Sequence, residues 1–139
     1  MSRIVRDITL EAVIGNIPVA TAFVDEQLEQ LDCPLKAQTQ IDMALDELFN
    51  NIASYAYPAG SGTVDVRFEA DPADRTVSVT LTDRGIPFDP LAKQDPDITL
   101  PAEQRQIGGL GIFLVKKTMD EVLYRREKDQ NILTIRKKI

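Results

Sequence analysis

LKAQTQIDMALDELFNNIASYAY, residues 35–57, is the stretch on which the reading of this chain turns. Ile41, Leu45, Leu48 and Ile52 recur at helical spacing, so the pattern predicts a long amphipathic helix with one stripe laid on a core. At about 100° per residue, Asn51 falls beside that stripe, Glu47 on its flank and Asn50 on the solvent side. Glu47 and Asn51 are four residues apart and share a face. An amide turned toward a core needs a partner. Its oxygen suits Mg²⁺, a hard cation that keeps waters and phosphate oxygens as its other ligands. A carboxylate one turn earlier can take a proton from an incoming hydroxyl. Taken alone, the plainer alternative has the better claim: a polar helix edge with an asparagine bonded to a loop carbonyl.

Upstream, residues 4–10 alternate apolar and polar side chains, as a short strand does. Asn16 is placed to cap a first helix carrying Ile17, Ala20, Val24, Leu28 and Leu31. Asp32-Cys33-Pro34 separates the two helices. Downstream, the Pro-, Gly- and Ser-rich residues 58–62 break the second helix. Val64-Val66-Phe68 and Val77-Val79-Leu81 then alternate with polar neighbours, predicting two strands of a hairpin. Residues 83–90 form a loop and 91–106 an irregular stretch, followed by a third helix over 111–119. A closing strand pair, 122–126 and 132–136, surrounds Asp129-Gln130-Asn131. The order β-α-α-β-β-α-β-β predicts an α+β chain. The expected architecture is a two-layer sandwich, a mostly antiparallel (mixed) sheet with three helices packed on one face, and one domain over 1–139.

Composition narrows the chemistry. The chain has 139 residues, 43% of them hydrophobic and 27% charged, with a net charge of −6. That balance argues against direct nucleic-acid binding, which asks for a surplus of Lys and Arg. No apolar run approaches the roughly 18 residues a membrane span needs. The start reads as a strand instead of a signal segment, so the expected location is cytoplasmic and away from the membrane. A single cysteine, Cys33, allows no internal disulfide. Histidine is absent, which removes Ser-His-Asp triads, His-based zinc sites and a phosphohistidine on this chain. Any general base is then Asp, Glu, Lys or Tyr.

Two further motifs carry chemistry. Asp83-Arg84-Gly85-Ile86-Pro87-Phe88-Asp89 places an aspartate at the end of a strand with a glycine two residues on. The carboxylate can accept from an exocyclic amine while the glycine admits a flat ring. The same residues also suit an ordinary turn. Gly108-Gly109-Leu110-Gly111 opens the third helix, and backbone N–H groups at a glycine-rich helix start suit phosphate. It matches neither the P-loop nor the dinucleotide fingerprint, and a glycine cluster by itself is weak.

Taken together, the acid-plus-Asn helix, the Asp-x-Gly loop and the Gly-x-Gly helix start resemble the Bergerat-fold (GHKL) ATPases. Within that superfamily the chain closely resembles the bacterial anti-sigma factor serine/threonine kinases. The similarity covers nearly its whole length, with GGLGIFLVKKTMDEV, residues 108–122, especially typical. The resemblance implies ATP and Mg²⁺ as cofactors, Glu47 as catalytic base and Asn51 as the Mg²⁺ ligand. It implies Asp83, helped by Gly85, at the adenine amino group, with Phe88 a core residue or pocket wall. Gly108, Gly109, Leu110 and Gly111 would contact phosphates under a lid over 91–107, with Arg105 a loosely aligned terminal-phosphate contact. The implied partners are a sigma factor and a STAS-type anti-anti-sigma protein that is phosphorylated on Ser or Thr, and the implied assembly a homodimer. Tyr55 and Asn50 depart from the residues common in that family, His and Thr, but lie outside the three contact motifs. Two other readings stay open: a nucleotide-dependent binding module without kinase activity, and a detached histidine-kinase-like ATPase domain.

Overall fold

The computed structural model describes residues 2–92 and 110–139. Strand β1 (Ile4–Glu11) leads through a 3₁₀ turn (Ile14–Asn16) into helix α1 (Ile17–Gln30) and helix α2 (Leu35–Asn51). A π turn (Ile52–Ala56) continues α2, and strands β2 (Thr63–Asp71) and β3 (Thr76–Asp83) follow. After another 3₁₀ turn (Pro90–Ala92), helix α3 (Leu110–Thr118) precedes β4 (Glu121–Glu127) and β5 (Gln130–Lys138). This is the α+β order read from the pattern.

The five strands form one sheet in the order β1-β2-β3-β5-β4, and all four of its pairings are antiparallel. The expected mixed character is therefore absent from this sheet. The β4–β5 hairpin closes through Lys128 and Asp129, whose φ angles of 51° and 61° suit the tight two-residue turn that matches strand twist.

Alternation along β2, β3 and β5 puts one face on the helices. Phe68, Val79 and Ile135 make one cross-strand rung, and Val66, Leu81 and Leu133 the next. All six are buried, and Leu28, Leu45, Leu48 and Phe49 of the helices join them in one core. The rung above is Val64, Asp83 and Asn131, where two polar side chains stand on the apolar face. The opposite face carries Asp7, Asp65, Arg67, Thr80, Thr134 and Arg136 around a groove of about 750 Å³. Its charges are matched across strands, Arg3 with Glu69, Arg67 with Asp7 and Arg136 with Glu121.

Two local expectations change. Asn16 precedes α1, yet its side chain makes no cap bond and instead donates to the Glu11 carbonyl at 2.9 Å. The second helix keeps α geometry only to Asn51. From Ile52 it widens into a π turn, which frees the Ala56 carbonyl to accept the Ile86 N–H at 2.9 Å.

Candidate functional site

The C-terminal end of α2 is where three sequence-distant motifs meet. Glu47 and Asn51 are both half-buried there, and Asn51 Nδ2 lies 3.4 Å from Glu47 Oε1. Asn50 is exposed, as the helical phase predicts, and its side-chain oxygen accepts from the Ser54 hydroxyl. Gly111 in the first turn of α3 packs directly on the Glu47 carboxylate, so closely that a Cβ would overlap it. The π turn that follows packs on Gly85, where a Cβ would overlap the Ala56 carbonyl. Each glycine is thus required by a close approach, one to a carboxylate and one to backbone.

Asp83 ends β3 on the helix-facing side and is 1% exposed. Its Oδ1 accepts the Gly85 N–H and Asn131 Nδ2–H, each at 2.9 Å. The loop behind it is held at the N–H groups of Arg84, Gly85, Ile86 and Phe88 and at the carbonyls of Gly85 and Ile86. Arg84 N–H donates to the Tyr57 hydroxyl at 2.9 Å, and that hydroxyl donates to the Thr63 carbonyl at 2.6 Å. Arg126 donates to the Gly85 carbonyl at 2.8 Å, and Asn131 to the Ile86 carbonyl at 2.7 Å. Phe88 N–H reaches Asn131 Oδ1 at 3.3 Å, while the Phe88 ring lies 5.4 Å from that of Tyr55 on the π turn. An aspartate and a short loop held from four elements form a rigid acceptor edge beside the amide and carboxylate of α2.

The structure therefore brings together Glu47, Asn51, Asp83, Gly85 and Gly111. Phe88 lies in the same loop with its ring on Tyr55, and Leu110 is 41% exposed at the start of α3. Arg105, Gly108 and Gly109 fall outside the described residues, as does most of the 91–107 lid. Among the described residues, no group of three or more acidic or sulfur side chains is arranged to hold a metal. The donor set at the end of α2, one amide and one carboxylate, fits a cation that draws most of its ligands from phosphate and water. With Nδ2 turned to Glu47, Oδ1 of Asn51 is the atom that could face such a cation.

Sequence reasoning missed Asn131, Tyr124, Arg126 and the π turn. A signal did exist for Asn131. It shares the two-residue period of Leu133 and Ile135, so a polar side chain at that point sits on the core face. A buried amide there needs partners, and they lie about 45 residues upstream.

The histidine kinase-like ATPase domain family matches residues 10–137, which take in every described residue of this site. The chain belongs to that family. This ATPase domain is 28% identical over 95 residues to the serine/threonine-protein kinase BtrW of Bordetella bronchiseptica, covering 68% of this chain and 66% of that protein. It is 27% identical over 115 residues to the anti-sigma F factor of Pasteuria penetrans, covering 83% of this chain and 77% of that protein. The chain thus spans about two thirds of the first relative's length. Within the family, its likeness is to the anti-sigma factor kinases. The fold agrees with a crystal structure of the RsbU and RsbW domains of a Mycobacterium tuberculosis protein. That match has a TM-score of 0.65 at 17% identity, over 97% of this chain and 32% of that one. Among the described residues, no helix of the ATPase domain is long and apolar enough to cross a membrane.

Proposed function

We propose that this chain is an ATP-dependent protein serine/threonine kinase of the anti-sigma type. The observation that carries the reading is the meeting of Glu47, Asn51, Gly111 and the Asp83–Gly85 edge around one helix end. Asp83 accepts the amino group of adenine beside Gly85. Leu110 and Gly111 offer backbone N–H groups to phosphate, and by the family resemblance Gly108, Gly109 and Arg105 are further phosphate contacts. Asn51 Oδ1 would hold Mg²⁺, which would supply neutralisation of the phosphate charge. Glu47 accepts the proton of the incoming hydroxyl and orients its oxygen. Phosphoryl transfer asks mainly for positioning and charge neutralisation, so these few groups suffice. The phospho-acceptor is a Ser or Thr of a STAS-type anti-anti-sigma protein, and the alternate partner a sigma factor. The working form is a cytoplasmic homodimer, by likeness to the anti-sigma kinases.

The test is incubation with γ-labelled ATP and the candidate partner proteins. Label on a partner Ser or Thr is the expected result. A stable nucleotide-dependent complex without label overturns the kinase in favour of a binding module. Glu47→Ala keeps ATP affinity and lowers transfer by about 10²-fold or more, the usual worth of a general base. Asn51→Ala loses the Mg²⁺-dependent part of ATP binding. Transfer at the wild-type rate in Glu47→Ala removes the base from that residue.

A further inference from the structure

Asn131 is 1% exposed, and every hydrogen-bonding position of its amide is used. Nδ2 donates to Asp83 Oδ1 at 2.9 Å and to the Ile86 carbonyl at 2.7 Å. Oδ1 accepts the Tyr124 hydroxyl at 2.6 Å and the Phe88 N–H at 3.3 Å. Turning the amide over would set its oxygen against a carboxylate and a carbonyl, and its NH₂ against an N–H. Only one orientation is therefore stable. Tyr124 of β4 braces it from behind, its hydroxyl donating to Oδ1 in the orientation that the other three bonds select.

The effect on Asp83 is specific. Its Oδ1 is filled by two protein donors, the Gly85 N–H and Asn131, so the carboxylate is held against rotation. Oδ2 is left as the acceptor, and the loop beyond it is fixed by the same amide. We propose that Asn131, seated by Tyr124, is the positioning residue that sets base selectivity at this site. It presents an acceptor without a donor beside it, so a 6-aminopurine is taken and a 6-oxopurine refused. A loosened Asp83 rotates, spends its second oxygen on the loop or on water, and loses that discrimination. The inference rests on the nucleotide reading of the site given above.

A purely structural role for Asn131 would weaken all nucleotides alike, so the deciding quantity is a ratio. ATP and inosine triphosphate (ITP) are titrated calorimetrically into the intact chain, its Asn131→Ser variant and its Tyr124→Phe variant. The wild type is expected to prefer ATP by about tenfold or more, the worth of one hydrogen bond to a charged acceptor. Asn131→Ser should erase most of that preference, chiefly through weaker ATP binding. Tyr124→Phe, which keeps the amide but frees its oxygen, should lower it by about threefold. Equal loss of ATP and ITP in a folded variant, or an unchanged ratio, overturns the role of Asn131 and leaves the ATP site standing. Should Asn131→Ser fail to fold, Tyr124→Phe decides by the same ratio. A folded wild type that binds neither nucleotide overturns the site reading and this inference together.

Discussion

An alanine at position 111 would set its methyl group against the Glu47 carboxylate, the free end of a side chain that can swing aside. The backbone of α3 loses nothing by the change, because alanine is the better helix former by about 1 kcal/mol. Gly111→Ala should therefore melt at or above the wild-type temperature while phosphoryl transfer falls about 10²-fold, the cost of displacing the proposed base by roughly 1 Å. Parallel melting and transfer assays check the split, and unchanged transfer would remove Gly111 from the site. At Gly85 the same substitution meets the Ala56 carbonyl and Cβ, which belong to a packed turn and cannot swing. Gly85→Ala should cost about 1–3 kcal/mol, visible as a lower urea midpoint. The sequence does not separate the two glycines by what they pack against, one in a loop and the other at a helix start. What separates them is the neighbour across space, a side-chain tip in one case and backbone in the other.

Among the elements, α2 was the most legible and also the one whose end was misread. Its stripe of Ile41, Leu45, Leu48 and Ile52 is buried as the period requires, and the phase that chose Asn51 over Asn50 agrees with their exposure. The switch to π geometry at Ile52 left no mark, because IASYA contains neither Gly nor Pro and the loop that docks on Ala56 at its end lies far downstream in the sequence. The α1–α2 contact hides another feature that no one-dimensional pattern displays. Asp25 of α1 and Asp42 of α2 sit on their helices as ordinary polar residues, yet an oxygen of each is buried, and among the described residues no group other than the facing carboxyl serves it. Burial pushes the Asp42 carboxyl up to about 8, with the Asp25 carboxyl bonded to it and the charges of Asp25, Asp46 and Glu29 adding to the effect. An unfolded aspartate titrates near 3.9. Between about pH 4 and 8, the folded chain therefore holds a proton that the unfolded chain has released. This group's contribution to stability is complete below that window, falls as pH rises through it and is lost above about 8. Asp42→Asn should flatten the fall and raise the urea midpoint at pH 8.5. An equally steep decline in the variant would assign the dependence to other groups.

At the scale of the molecule, the site has no element of its own. Its described residues come from the end of α2, the loop after β3, the first turn of α3 and the β4–β5 hairpin, segments far apart in sequence that only the folded core brings together. The open face of the sheet contributes none of them. Its cross-strand ion pairs are exposed and screened by solvent, so it adds solubility more than stability. A ligand that touches all these segments binds the native chain and has no counterpart in the unfolded one. By mass action, ATP at a hundred times its Kd should add about 2.7 kcal/mol to the stability of the fold. For a chain of 139 residues that amounts to a rise of about 9 °C in Tm. Asp83→Asn keeps the size of the side chain but replaces one acceptor oxygen with a donor, so it should abolish the ATP-induced rise while the unliganded Tm drops by only a few degrees. A scanning melt with and without ATP and Mg²⁺ measures both. A full ATP shift in Asp83→Asn would mean that the nucleotide is held by the phosphate side alone, and adenine recognition would have to be sought away from the β3 edge.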